Sequence, residues 1–245
     1  MNAARTLATA GRVLRQLSHD VRTVLLLILV PVLLLILLYY VFDSDKRGFD
    51  GIGASLLGIF PLVTMFLVTS IATLRERTSG TLERMLSMPL GKADLIGGYA
   101  LAFGLLAAVQ AGVATGVAIW FLDLDITGSP WLLLLIALLD AVLGTALGLF
   151  VSAFARSEFQ VVQFMPVVIF PQILLCGLFA PRGSMQPVLE YVSNVLPMSY
   201  AVDGMGEVLR HTDPTGDFVR DLAVMAGAAL LVLALGAATL RRRTP

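Results

Sequence analysis

Four polar side chains interrupt long apolar stretches of this sequence: Gln110, Asp140, Gln163 and Gln172. Amide and carboxyl groups in such positions could hydrogen-bond a passing molecule or carry a proton. An ionised carboxylate deep in a membrane is costly unless it is paired, protonated or facing water. Two interpretations of Asp140 therefore stay open: a neutral or hydrogen-bonded acid that fixes helix packing, and a group on a substrate or proton path. Phe164 is a further candidate for lining an apolar path.

Enzymatic chemistry has no support in the sequence. A phosphate-cradling loop needs Gly-x-x-x-x-Gly-Lys-Ser/Thr, but Gly91-Lys92 is followed by Ala93 and lacks the upstream glycine. The lone Cys176 excludes an intrachain disulfide, and the two histidines, His19 and His211, are far apart. We therefore expect no metal site and no cofactor on this chain, and any ATPase must be a separate polypeptide.

The composition indicates a chain embedded in lipid. Hydrophobic residues make up 58% of the 245 positions and charged residues only 14%, whereas a soluble domain carries about a quarter charged residues. The formal net charge is zero, which gives no general attraction to nucleic acid. Most of the surface must therefore face something other than water.

The elements that must position these side chains are membrane-spanning helices, which need about 20 apolar residues each. The sequence predicts an all-α integral membrane domain with six spans, and Pro166 and Pro171 predict a kink in the fifth. The first span is expected to be a retained anchor, since no small-residue cleavage site follows it. The predicted spans are 24–42, 52–74, 96–122, 131–155, 161–180 and 222–240.

The distribution of positive charge predicts the orientation. Of the 17 Lys and Arg residues, 12 lie in the two terminal segments and in the loops after spans 2 and 4. Because Lys and Arg concentrate on the cytoplasmic side, both termini are expected to be cytoplasmic in a plasma (inner) membrane. Arg241, Arg242 and Arg243, directly after span 6, are the sharpest local signal.

Three segments outside the spans have helical patterns. Residues 1–23 place apolar and basic residues on opposite faces, which is typical of an interfacial helix; a disordered basic leader is the alternative. Residues 181–220 contain two short helical stretches that are too apolar for a free loop, and we expect them to re-enter the outer leaflet. The two faces of the first segment are Leu7, Ala10, Leu14, Leu17 and Val21, opposite Arg5, Arg12, Arg15 and Arg22.

The third segment, residues 75–95, is the longest predicted cytoplasmic loop. Thr81 can cap a short helix that Pro89 would end, with Leu82, Met85 and Leu86 on one side and Glu83 and Arg84 elsewhere. Such a helix could dock a partner protein, or the segment could be a solvated turn.

The pairs Gly112/Gly116 and Gly144/Gly148 have the Gly-x-x-x-Gly spacing of close helix packing, within the subunit or at a dimer seam.

With these segments assembled, the chain resembles the permease subunits of type-2 ABC exporters, the group that includes antibiotic and multidrug efflux permeases. One match is Glu76-Arg77-Thr78-Ser79-Gly80-Thr81-Leu82-Glu83 with Pro89 beyond it, which is similar to the family's coupling segment. The second is Gly177-Leu178-Phe179-Ala180-Pro181 leading to Leu196-Pro197-Met198-Ser199-Tyr200-Ala201-Val202-Asp203, similar to its external re-entrant segment. Pro31 within the first span is the third.

The resemblance implies that transport and ATP hydrolysis are carried out by separate subunits. Two permease subunits, identical or different, would form the path, and two cytoplasmic ABC ATPase subunits would bind ATP and Mg²⁺. It assigns coupling to Glu76, Arg77, Gly80, Thr81, Glu83, Arg84 and Pro89, and the external segment to Gly177, Pro181, Pro197, Tyr200 and Asp203. We expect export of a hydrophobic or amphipathic, drug-like compound. Alternatives are a lipid or lipid-linked glycan exporter, a proton-coupled carrier using Asp140, and a scaffold without transport.

Overall fold

The described residues, 2–43, 45–87 and 91–239 of the computed structural model, form helices and connecting turns without a β-strand. Six helices are long and apolar enough to cross a membrane, counting the interrupted helix Glu158–Leu175 as one. The all-helical, six-span prediction is confirmed. Arg241–Arg243, whose charges indicate the orientation, and Pro89 lie outside the described residues. In chain order the elements are α1 Ala3–His19, α2 Val21–Val41, α3 Lys46–Thr78, α4 Thr81–Ser87, α5 Lys92–Trp120, α6 Pro130–Val151, α7 Glu158–Val168, α8 Phe170–Leu175, a 3₁₀ turn Arg182–Ser184, α9 Pro187–Val195, α10 Pro197–Arg210 and α11 Gly216–Thr239.

Helix α3 is longer than its apolar stretch. It begins at Lys46 because the Asp45 side chain caps it, accepting a hydrogen bond from the Gly48 backbone N–H at 3.1 Å. It continues through the charged turn Arg75–Thr78. An apolar stretch marks only the part of a helix suited to lipid, so the predicted bounds of 52–74 omit both polar ends.

The fifth span is interrupted where prolines predict a kink. α7 ends at Val168 and α8 begins at Phe170, with Pro166 inside α7 and Pro171 in the first turn of α8. Proline has no N–H to donate, so Pro171 cannot complete the helical ladder across this point. Residues 176–180 of the predicted span 161–180 lie beyond α8.

Helices α3, α5 and α6 form the buried centre, whereas α2, the α7–α8 pair and α11 bury much less of their length. The closest approach is between α3 and α6. A Cβ at Gly148 would lie 2.7 Å from the Phe66 carbonyl oxygen, and one at Gly144 would lie closer still to that of Leu62. This glycine pair therefore serves packing within the subunit. At Gly112, in contrast, a Cβ would meet no described atom within 4 Å.

Candidate functional site: the α4 end of the bundle

Helix α4 follows α3 after a turn that requires a left-handed residue. The backbone N–H of Ser79 donates to the Arg75 carbonyl at 3.0 Å, and Gly80 follows with a φ of 71°. The α4 helix then begins at Thr81. Thr81 is thus the first helical residue rather than the predicted cap, and its hydroxyl lies 3.0 Å from that of Ser79.

Substituting Gly80 tests whether the turn before α4 depends on the left-handed backbone conformation of this residue. Gly80→Ala should destabilise the chain by about 1 kcal/mol, because the left-handed region is unfavourable for L-residues with a Cβ. No described atom lies within 4 Å of the position that the alanine methyl group would take, so the whole effect comes from the backbone. Thermal unfolding in detergent measures it, and Gly183→Ala, which has neither a positive φ nor a close neighbour, is the control. Equal melting temperatures for the two variants would contradict the prediction.

The α4 helix is docked by one face and exposed on the other. Leu82 and Met85 are buried in a cluster with residues of α1 and α5, including Val13 and Ile96. Glu83 and Arg84 are exposed. The buried pair fixes the helix to the bundle, so the exposed charges are held in a defined place on its outer surface.

Glu76 lies inward, at the junction of α3 and α1. It is 5% exposed, and its Oε1 accepts a hydrogen bond from the Arg12 Nη1 at 2.7 Å. A buried carboxylate with one ionic partner is placed to tie two helices together. Glu76 therefore joins α1 to α3 and does not project outward as Glu83 does. Arg77 is half-buried at the same level.

Helix α1 is held tightly against the start of α5. The Asn2 backbone N–H donates to the Asp94 Oδ1 at 2.6 Å, and a Cβ at Gly98 would lie 2.5 Å from the Thr9 Cβ. The buried face of α1 consists of Thr6, Thr9, Ala10 and Val13. The predicted apolar stripe is therefore divided: Ala10 packs inward, whereas Leu7 is 64% exposed.

A second ionic contact joins the end of α3 to the beginning of α7. Arg75 Nε lies 2.6 Å from Glu158 Oε1, and Arg75 Nη2 lies 3.1 Å from Glu158 Oε2. This two-point geometry is the more favourable form of an exposed ion pair. With the Arg12–Glu76 pair, it connects α1, α3 and α7 at the α4 end.

The opposite end of the bundle carries the predicted external segment. Gly177 has a φ of 97°, Pro181 precedes the 3₁₀ turn, and Pro197 begins α10. The α10 helix is buried against α3, α6 and α11, with Met205 near Gly58. The predicted residues of this segment thus lie on α10, at its start and in the turns that lead to it.

A single arginine connects the pieces of this external segment. Arg182 contacts Asp203 and Asn194, and its guanidinium carbon lies 5.1 Å from the centre of the Tyr200 ring. The Tyr200 hydroxyl donates to the Asn194 carbonyl at 2.6 Å. These contacts join the 3₁₀ turn, α9 and α10 into one unit.

The predicted path residues lie on four helices, α5, α6, α7 and α8. Gln110 is buried on α5 and accepts a hydrogen bond from Thr64 of α3 at 2.9 Å. Gln172 donates to the Val168 carbonyl at 2.9 Å, and Gln163 is exposed on α7. Phe164 is partly buried against the cores of α3 and α6. Asp140 is fully buried, and neither carboxyl oxygen has a hydrogen-bond partner among the described residues.

The sequence profile of the ABC-2 type transporters matches residues 5–209, which is most of the chain. The chain belongs to the ABC-2 type transporter family. The matched region includes α1, α4 and α10, so it contains elements of both ends of the bundle. Together with the six apolar helices, the family makes this a multi-pass membrane protein.

Curated relatives of this ABC-2 chain are similar at modest identity. ABC transporter G family member 20 of Dictyostelium discoideum is 28% identical over 68% of this chain and 23% of its own length. The probable multidrug ABC transporter permease YbhR of Escherichia coli is 26% identical, covering 61% and 40%. The linearmycin resistance permease protein LnrN of Bacillus subtilis is 21% identical, covering 75% and 47%. The matched region spans less than half the length of each relative.

Sequence reasoning missed the two arginines that organise the ends of this ABC-2 fold, Arg12 and Arg182. Periodicity assigns Arg12 to the polar face of α1, but it could not show that Glu76, 64 residues away, would approach it. Arg182 had a signal that could have found it. It lies in the same predicted segment as Asp203, and an arginine in a segment expected to re-enter the outer leaflet needs an acidic partner.

Proposed function

We propose that this chain is the permease of an ATP-driven ABC exporter that moves a hydrophobic or amphipathic, drug-like compound out of the cell. Two such subunits would form the path, powered by two ATPase subunits on separate polypeptides that bind ATP and Mg²⁺. Its position would be the plasma membrane, with both termini and α4 in the cytoplasm. The charge distribution along the sequence supports this orientation.

The observation that carries the proposal is the construction of the α4 end. A short helix is fixed by Leu82 and Met85 to the bundle and presents Glu83 and Arg84 outward. Movement of such a helix would be transmitted directly through Gly80 to α3, a helix of 33 residues that spans the centre of the fold. An ATPase that contacts α4 could therefore move the membrane helices without touching them.

The substrate class rests on two supports. The relatives include a protein named as a probable multidrug permease and one named for linearmycin resistance. The spans also offer few polar groups, which suits an apolar cargo better than a charged one. In the same plan, a lipid or lipid-linked glycan is the alternative cargo.

The external segment is proposed to re-enter the outer leaflet. Burial of α10 against α3, α6 and α11 supports this, since its polar backbone is satisfied internally and its apolar face is covered. Likewise, exposed Leu7 on α1 supports an interfacial position in which this side chain contacts lipid.

Reconstitution tests the proposal directly. The chain is purified from its native host, the co-purifying ATPase is identified, and flux of a fluorescent amphipathic compound into inside-out vesicles is measured. We expect co-purification of an ATPase and flux that requires ATP hydrolysis. Flux that follows an imposed proton gradient and ignores ATP would instead support the carrier.

Substitution of Asp140 distinguishes an ATP-driven exporter from a proton-coupled carrier. Asp140→Asn should preserve ATP-driven flux and leave the melting temperature equal or higher, because a neutral amide of the same shape replaces a buried carboxyl without a described partner. Gln110→Glu, which adds a carboxyl at another buried position, serves as the comparison and should lower the melting temperature. Loss of transport in Asp140→Asn with an unchanged fold would favour proton-linked transport.

A further inference from the structure

A cavity of about 310 Å³ lies at the α4 end, between α1, the start of α2, the last third of α3 and the first half of α5. This volume is at the lower end of the range for small-molecule sites, which is roughly 300–1,000 Å³. None of the side chains predicted for the substrate path lines it. The cavity is therefore a separate feature from the polar groups of the spans.

The inner wall of the cavity is apolar and aromatic. Leu67, Val68 and Ile71 of α3 form one side, and Tyr99 and Phe103 of α5 form the other. The two rings are nearly parallel, with an angle of 7° between their planes and 6.0 Å between their centres. Apolar tails pack against such walls, and aromatic faces also attract cations.

The rim of the cavity has one carboxylate that belongs to no ion pair. Arg75 is bound to Glu158, and Glu76 is bound to Arg12, so these four charges balance in pairs. Asp20 also lines the cavity, and it forms no ion pair with any basic side chain in the described part of the chain. Arg22 and Arg75 are near enough to favour the charged form of Asp20, but neither is paired with it, so a carboxylate without a direct ionic partner lies at the mouth of an apolar cavity.

Asp20 is ionised and fixed in position. Its carboxylate accepts hydrogen bonds from the Thr23 hydroxyl at 2.7 Å and the Thr23 backbone N–H at 3.2 Å, as the cap of α2. These two bonds hold the pKa of Asp20 below its ordinary value. Each carboxylate oxygen has more than one lone pair, so Asp20 can accept a further hydrogen bond from a ligand.

We propose that this cavity binds an amphipathic ammonium compound, with its apolar body between α3 and α5 and its ammonium group beside Asp20. The inference does not depend on the proposed export. The same chemistry occurs in free hydrophobic amines and in the headgroup of an aminophospholipid. A bound molecule would lie next to the Arg12–Glu76 pair and so contact the joint between α1 and α3.

Binding of a fluorescent amine tests the site. The purified chain in phosphatidylcholine nanodiscs is titrated with dansylcadaverine, and with N-dansylhexylamine as the neutral analogue of similar size, each corrected with empty nanodiscs. We expect saturable binding of the cationic probe with a blue-shifted emission. The neutral analogue should bind roughly three- to fivefold more weakly, the effect of one partly exposed charge pair.

Two variants and a control locate the probe. Asp20→Asn keeps a side chain that caps helices well and should weaken the cationic probe by the same roughly three- to fivefold, while leaving the neutral one unchanged. Ala72→Phe fills the cavity and should abolish saturable binding of both probes; Ala72→Leu replaces it where the larger residue lowers the melting temperature. Asp213→Asn, at the opposite end, should bind both probes as the unaltered chain does.

The lipid composition identifies the source of the amine. Competition by phosphatidylethanolamine in the nanodisc supports an aminophospholipid, and unchanged probe affinity supports a free amine; either result agrees with the ammonium site. Equal affinity for the cationic and neutral probes would overturn the proposal. So would an Asp20→Asn chain that binds dansylcadaverine as tightly as the unaltered chain.

Discussion

Reversing the charge of Glu83 should separate ATP hydrolysis from transport, lowering ATP-driven flux by about tenfold or more. Glu83 is exposed on α4, whereas Leu82 and Met85 hold that helix to the bundle. Glu83→Lys therefore leaves the docking of α4 intact and places a like charge where a partner's basic group would lie. Flux into inside-out vesicles and the rate of ATP hydrolysis are measured together, and the fold is checked by its melting temperature.

Asp213→Lys is the matched control for this charge reversal. Asp213 is also exposed, but it lies in the turn between α10 and α11 at the opposite end of the bundle. This variant should retain flux, since it changes the net charge equally without altering α4. Normal flux and normal ATPase stimulation in Glu83→Lys would show that Glu83 is not part of the coupling surface.

The largest effect on stability is expected at Gly144. Gly144→Val should destabilise the chain by more than about 3 kcal/mol and prevent recovery of a monodisperse protein. A Cβ there would overlap the Leu62 backbone of α3, and a helix backbone cannot move aside as the end of a side chain can. Size-exclusion chromatography of the detergent-solubilised chain and its melting temperature measure the effect.

Gly112→Val provides the comparison, since Gly112 belongs to the other Gly-x-x-x-Gly pair. No described atom lies within 4 Å of the position of its Cβ, so this variant should elute and melt like the unaltered chain. Similar losses in both variants would mean that Gly112 also packs closely in the assembled transporter. The contrast thus tests the packing of α3 on α6 as the basis of the fold.

Much of the fold could be predicted from sequence because lipid imposes a simple rule. A span must be a helix of about 20 apolar residues, so six apolar stretches predict six spans. Pro166 and Pro171 mark the break between α7 and α8 through local chemistry alone. The short helix after Gly80 was also predictable, since its apolar residues recur at helical spacing.

Local sequence patterns do not show which helices, distant in sequence, pack against each other. Gly112/Gly116 and Gly144/Gly148 have the same spacing, yet among the described residues only the second pair meets the backbone of another helix closely. The burial of Glu76 depends on its pairing with Arg12 and on the approach of α1 to Gly98, and periodicity predicts neither contact. The sequence therefore identified the residues of the candidate site by their chemical type. Which of their side chains are buried and which are exposed could be learned only from the structure.

The same limit applies to the polar residues of the spans. Gln110, Asp140, Gln163 and Gln172 stand out equally in an apolar sequence. In the structure Gln110 binds Thr64, Gln163 is exposed and Asp140 is enclosed. The position of a residue along a span does not determine which neighbouring helix covers its side chain. The sequence therefore could not show whether these residues line a common path.

Site-specific crosslinking tests most directly whether an ATPase grips the exposed face of α4. A photo-reactive amino acid is placed at Glu83 and, separately, at Asp213, and the chain is irradiated in native membranes. We expect position 83 to form a covalent adduct with an ATPase subunit, in a yield that changes when ATP is added, and position 213 to form no such adduct. An ATPase adduct from position 213 and none from position 83 would contradict the proposed coupling through α4.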